Sequence, residues 1–244
     1  MTLPDLAWQI AYGRLAWTLV LAALLLALWP QASRSPRAAS VVAIGSIGLL
    51  MALPGEASPA WWLGLALQYP SGLLVGLCVL CLAARWQGRA PGAVMPSALA
   101  AAIALAGTAL YLDAIGWLAQ GFYYAGFGPV AAPALALIGM AWCALAVLRG
   151  HGGRHHLALL GALLLFSLCR LPTGNLWDAV LDPLLWVWAL ASLARRGLRR
   201  LAAMKSQRAG ASGAATSPAP GLPVPGSAAS IDKFSISKEQ VSGK

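Results

Sequence analysis

The sequence predicts an all-α protein, a polytopic membrane helix bundle of about seven transmembrane helices with its N-terminus out and its C-terminus in, followed by a disordered cytoplasmic tail. Three observations carry this. The 244-residue chain is 59% hydrophobic and only 10% charged, against roughly 25% charged in an ordinary soluble domain, so a wetted surface cannot be built from it. Its apolar residues gather into runs of the length that crosses hydrocarbon, about 17–25 residues. Its basic residues fall in alternate connections between those runs.

Candidate spans lie near 13–30, 38–54, 70–85, 92–112, 129–148, 156–171 and 177–194. The first, second, fourth and fifth are clean; the third, sixth and seventh draw on polar ends. The connections 31–37, 85–91 and 149–156 and the segment after 194 hold Arg34, Arg37, Arg85, Arg89, Arg149, Arg154, Arg195, Arg196, Arg199, Arg200, Lys205 and Arg208. The other connections hold Glu56, Asp113, Asp178 and Asp182, and Asp5 precedes the first run. Only Arg14 and Arg170 break the alternation. Positive residues stay in the cytoplasm, so an odd number of crossings is required. A cleaved signal peptide over 1–33 is the rival reading, disfavoured by Pro30 near the cleavage position and by Arg34 and Arg37, which would then lie outside.

Residues 1–200 read as the transmembrane domain and 201–244 as the tail. From 206 to 230 the chain is rich in Ser, Ala, Gly and Pro, a composition that buries too little to fold. The stretch around 231–240 regains Ile231, Phe234 and Ile236 and is either a frayed end or a short motif for a cytoplasmic partner.

An internal duplication is suggested by two stretches, LPGEASPAWWLGLALQYPSGLL after the second span and LPTGNLWDAVLDPLLW after the sixth. Pro54 would match Pro172 and Pro70 would match Pro183, giving a three-plus-one-plus-three arrangement. Trp29-Pro30-Gln31 resembles the signature of the small sugar transporters with PQ-loop repeats, but the fifth span offers only Pro133 where a second copy belongs.

Several chemistries are excluded by residue content. The only histidines, His151, His155 and His156, share one loop, so no intramembrane pair is present to hold a haem. The seventh span has no lysine for a Schiff base. No serine–histidine pair, HEXXH, phosphate-binding loop or nucleic-acid-binding motif occurs. HGGRHH (151–156) lacks the carboxylate or cysteine that usually joins histidine around a metal, and reads as a solvated basic loop. Cys78 and Cys81 have CxxC spacing inside an apolar run, where they read as small packing residues. Neither a cofactor nor a nucleic-acid partner is expected; the lipid bilayer is.

The outer face holds the candidate site: Asp113, Tyr123, Arg170, Asn175, Asp178 and Asp182. Only thirteen residues precede Arg170 in its run (157–169) and twelve follow Asp182 (183–194) before Arg195, so these charges sit at or just below the outer interface, where a charge is costly unless partnered. Asp178 and Asp182 share a face if the last helix begins near Asn175. Alternatively, Asp182-Pro183 is itself a helix start. In either case Arg170 is the expected counter-charge. The group either staples the last two helices, binds a partner or lipid head group from outside, or serves a proton- or metal-linked role.

The run NLWDAVLDPLLW (175–186) resembles the last span of a group of uncharacterised proteobacterial inner-membrane proteins with an NLWDxLxDP stretch, and GFYYAGFGP (121–129) and LPGEASPAWWLG are similar to their outer loops. The resemblance covers most of residues 50–195. It implies a multi-pass protein of the bacterial inner membrane, placed in the cell envelope, and no residue role. The expected function is that of a non-enzymatic accessory or scaffold subunit of an envelope-facing complex, with a membrane-protein partner. A small-solute transporter is the first alternative and a lipid-modifying enzyme using the three aspartates is the second.

Overall fold

The computed structural model describes residues 4–29, 35–89, 94–118, 120–150 and 153–214, with side chains as far as Lys205. Every regular element among them is a helix. In chain order these are α1 (Leu6–Leu28), α2 (Pro36–Met51), α3 (Pro59–Leu67), α4 (Gly72–Trp86), α5 (Ser97–Ala114), α6 (Phe122–Ala125), α7 (Ala131–Leu148), α8 (Arg154–Cys169), α9 (Leu176–Val180) and α10 (Pro183–Ala214), with one 3-10 turn at Gly55–Ala57. The chain divides into one unit of Met1–Arg199 and a second of Arg200–Lys244.

Three helices, α1, α5 and α7, are long and apolar enough to cross a membrane. At 1.5 Å per residue they measure about 34, 27 and 27 Å. The apolar helices α2, α4 and α8 have 16, 15 and 16 residues, about 22–24 Å each. Large apolar side chains such as Leu105, Trp142, Leu148 and Leu168 stay exposed, while much of what is buried is small: Ala22, Ala43, Ala100, Ala132, Ala136, Ala162 and Ala189. Small inside and large outside suits helices that gain nothing from hiding leucine from lipid and associate by close backbone approach.

The α4/α8 crossing is the clearest case. Gly72 and Gly76 of α4 lie against Ala162 and Ala158 of α8; a Cβ on Gly72 would stand 2.9 Å from the Ala162 Cβ, and one on Gly76 2.8 Å from the Ala158 Cβ. The pairing runs antiparallel. A central cluster adds Trp17 and Val20 of α1, Leu73, Leu74 and Leu77 of α4, Ile103 of α5 and Leu185 of α10. A second joins α1, α2 and α4 through Leu26, Ala43 and Leu82. A third joins α7, α8 and α9 through Ala136, Phe166 and Ala179.

The helix ends sort into two groups. At one end, the capped end, α1, α4 and α10 begin and α2, α5 and α8 finish. At the other, the arginine end, the Arg37 Nε donates to the Trp86 carbonyl (3.1 Å) and Arg196 donates to the Met95 carbonyl. The first four N–H groups of a helix lack internal partners. At the capped end side chains supply them for five helices, Asp5 for α1, Ser58 for α3, Ser71 for α4, Asn175 for α9 and Asp182 for α10, while α7, which also begins there, starts on Val130 without one. At the arginine end α2, α5 and α8 start on Ser35, Pro96 and Gly153 with no side-chain cap.

Two expectations change. The third and seventh runs are preceded by short separate helices: α3, of nine residues, breaks at Gln68–Ser71 before α4, and α9, of five, breaks at Leu181-Asp182 before α10. The helix α10 itself continues to Ala214; Leu, Ala, Met, Lys and Arg through this stretch are good helix formers. The expected linker and partner motif from 215 to 240 lie outside the described residues.

Candidate functional site

Asp113, at the end of α5, organises the loop that follows it. Its Oδ1 accepts the backbone N–H groups of Gln120 and Gly121 (2.9 Å each), and its Oδ2 accepts that of Tyr123 (2.8 Å). The side chain is 5% exposed. Both oxygens accept from fixed backbone donors, so the carboxylate is engaged in holding the loop.

Tyr123 starts from this anchor and reaches the next aspartate. Its phenol donates to Asp178 of α9 (3.2 Å to Oδ1), and the Thr173 hydroxyl donates to the Asp178 Oδ2 at 2.6 Å. Burial, and then the adjacent Asp178 charge, push the Tyr123 phenol above its ordinary value, so it remains the proton donor of the pair. Tyr123 also packs edge-on against Phe127 and Tyr124.

Asn175, fully buried, closes the network. Its Oδ1 caps α9 by accepting from the Trp177 N–H (3.0 Å), while its Nδ2 donates to the Tyr123 carbonyl (3.4 Å). The Trp177 indole donates to the Phe122 carbonyl (2.8 Å), and the Leu176 N–H to the Gly126 carbonyl (3.1 Å). Any side chain at Gly126 would strike Asn175 and Trp177, so that glycine is required by close approach. Asp113, Tyr123, Asn175 and Asp178 therefore form one hydrogen-bonded patch that sews loop 115–130 to loop 170–181.

Asp182 does a different job. Its Oδ1 accepts the Leu185 N–H (2.8 Å) and caps α10, with Pro183 in the first helical position. Its Oδ2 accepts the Ser71 N–H at the start of α4 (2.8 Å). Ser71 in turn caps α4 through the Leu74 N–H (3.1 Å). One carboxylate thus serves two helix N-termini, both positive poles of their helix dipoles. The Tyr12 hydroxyl donates to the Pro70 carbonyl beside it (2.7 Å), and the Gln9 amide donates to the Pro172 carbonyl (2.9 Å), tying α1 to both junctions.

Two sequence expectations need correction. Arg170 is not the partner of Asp178 or Asp182: it ends α8 in a left-handed conformation (φ 57°) with its guanidinium 5.1 Å from the Phe166 ring centroid. Each carboxylate is already supplied by neutral donors, and the exit angle at Arg170 turns its side chain back over its own helix. Asp178 and Asp182 are not on one helix face, because the chain is extended at Leu181 between α9 and α10. The hydroxyls that could line a midplane path are spent locally: Thr108 donates to the Ala104 carbonyl and accepts from the Trp186 indole, and Ser46 donates to the Ala43 carbonyl. The other outlying arginine, Arg14, reaches the Leu53 carbonyl at the end of α2 (3.2 Å).

Sequence reasoning missed Ser71, Tyr12, Gln9 and Gly126. Ser71 was recoverable as a cap ahead of an apolar run; Tyr12 and Gln9 pair across the fold with backbone carbonyls and leave no local sign. Compared with protein-family models, characterised proteins and solved structures, the chain matches none, and its function is argued from its own residues.

Proposed function

We propose that this chain is a multi-pass protein of a bacterial inner membrane, N-terminus outside and C-terminus in the cytoplasm, and that it works as a non-enzymatic docking subunit for an envelope-facing complex. The seven longer helices and the arginine end, placed in the cytoplasm by the positive-inside rule, support the membrane arrangement. The observation that carries the docking role is the sewn patch of Asp113, Tyr123, Asn175 and Asp178. Its polar groups are spent on holding two loops rigid, and the rigid loops present apolar side chains outward: Trp117 is 82% exposed and Tyr124 71%. Preorganised aromatic anchors are what a binding surface uses to limit the cost of ordering.

A photo-crosslinker at Trp117 or Tyr124, followed by purification in mild detergent, is expected to trap a stoichiometric envelope or membrane-protein partner, and Asn175→Ala is expected to reduce the yield several-fold. A lone, monodisperse chain with no crosslinked species would overturn the reading.

A transporter is the second reading, favoured by the two broken helices whose restarts meet at Asp182. Discontinuous helices in corresponding halves are a transporter trait. The two restarts correspond by their caps, Ser71 and Asp182, whereas Pro70 precedes its cap and Pro183 follows. Proteoliposomes should then show solute flux that Asp182→Asn reduces; no flux across a broad solute panel removes this option.

A further inference from the structure

A surface trough of about 370 Å³ runs along the α4/α8 crossing. Its floor is the small-residue seam of Gly72, Gly76, Ala158 and Ala162, and Val79, Leu80, Leu157 and Leu165 form its walls. Gly161 widens it, since nothing lies within 4 Å of where its Cβ would be. The lining is almost wholly apolar; the Tyr12 hydroxyl at one end is turned to the Pro70 carbonyl.

The other end is basic. The antiparallel register that sets Gly72 against Ala162 and Gly76 against Ala158 brings Leu80 level with Arg154, which lies one turn before Ala158 on the face of α8 that lines the trough. His155 and His156 stand beside Arg154, their rings 4.2 Å apart. The segments 85–91 and 149–156 contain no carboxylate. Among the described residues no side-chain hydrogen bond or ion pair engages Arg85, Arg89 or Arg154.

We infer that this trough binds one anionic glycerophospholipid, an acyl chain along the glycine seam and the phosphate against Arg154 at the start of α8. The inference rests on the proposed membrane orientation only for the leaflet, which is the cytoplasmic one. An apolar slot ending in an uncompensated cation matches the two halves of such a lipid, and basic clefts between helices on the cytoplasmic side are used in this way. The volume is on the scale of an acyl chain rather than of a helix about 10 Å across. A second copy docked here about a two-fold axis along the membrane normal would set two identical arginine rims at one level, where like charges repel.

The test uses the full chain, delipidated in mild detergent and offered dioleoyl phosphatidylglycerol or dioleoyl phosphatidylcholine, with bound lipid counted by native mass spectrometry. One phosphatidylglycerol should be retained at least tenfold better than phosphatidylcholine. The variant Arg154→Gln should erase that preference, and Gly161→Leu should cut retention of both lipids. Equal retention of the two lipids, a preference that survives the arginine variant, or a dimer that Gly161→Leu dissolves would each overturn the inference. Protease access to the tail in spheroplasts reports the orientation separately: cleavage from outside would refute the leaflet assignment while leaving the lipid preference to be judged on its own counts.

Discussion

The two ends of the bundle solve the same problem in opposite ways. Each receives helix termini with unpaired backbone groups. At the capped end the solution is inward: Asp182, Asn175, Asp113 and Ser71 are buried and accept from backbone N–H groups. At the arginine end the helices start without side-chain caps, and the charged groups are long and half-buried or exposed. A buried N–H needs a partner within the protein because water is not there to serve, whereas an exposed one does not. The capped end is therefore where the fold is specified, and the arginine end is where orientation and surface chemistry reside.

Removing the Asp182 carboxylate should break that contrast most severely. Asp182→Ala strips the α10 cap and strands the buried Ser71 N–H; a lost cap costs about 1 kcal/mol and a buried orphan donor about 1–3 kcal/mol. A total of about 2–4 kcal/mol should appear as a large drop in the thermal unfolding midpoint in detergent, and Asp182→Asn should recover part of it. An unchanged midpoint would show that the junction is solvated.

Next comes the seam that joins the two halves. Gly76→Val should force α4 from α8 at about 1–3 kcal/mol, the usual cost of overpacking. Gly161→Ala on the same helix pair should be close to neutral, as its Cβ meets nothing within 4 Å. Equal effects of the two changes in a thermal-stability assay would remove the assigned seam.

A smaller, local effect is expected at Asp113. Asp113→Ala frees the N–H groups of Gln120, Gly121 and Tyr123, so amide exchange across 120–123 should accelerate by tenfold or more while the helices stay protected. Uniform acceleration along the chain would mean that the loop is not an independent element. The least change belongs to the arginine end, where Arg89→Gln should alter stability by no more than about 0.5 kcal/mol; a larger loss would show that these cations hold the fold as well as orient it.

The division between what was legible in the sequence and what was not tracks the same contrast. Apolar runs announce helices because length and hydropathy are local properties, and α5, α7 and α8 fall within a few residues of their expected ranges. The breaks before α4 and α10 were less visible. PAWWLGLAL and LWDAV are as helix-compatible as the α4 and α10 segments that succeed them; Pro70 and Pro183 interrupt the helix locally, and the departures at Gln68 and Leu181 are held by partners distant in sequence that take up the freed groups. Of the candidate residues, Asp113, Tyr123, Asn175 and Asp178 come together in one patch, but composition could not tell that their partners are backbone amides and hydroxyls. The opposite charge of Arg170 made it the obvious mate for an aspartate on paper; the aromatic ring of Phe166 and a left-handed helix exit took it elsewhere.

The bond between Ser71 and Asp182 spans 111 positions of sequence. A chain emerging from the ribosome completes α4 long before it makes the carboxylate that the start of α4 requires. Until α10 arrives, an amide in apolar surroundings lacks its partner, at a cost of about 1–3 kcal/mol. The start of α10 acts as a keystone: translation must pass Asp182 before the start of α4 is at rest, and a chain stopped before that residue carries an open polar gap.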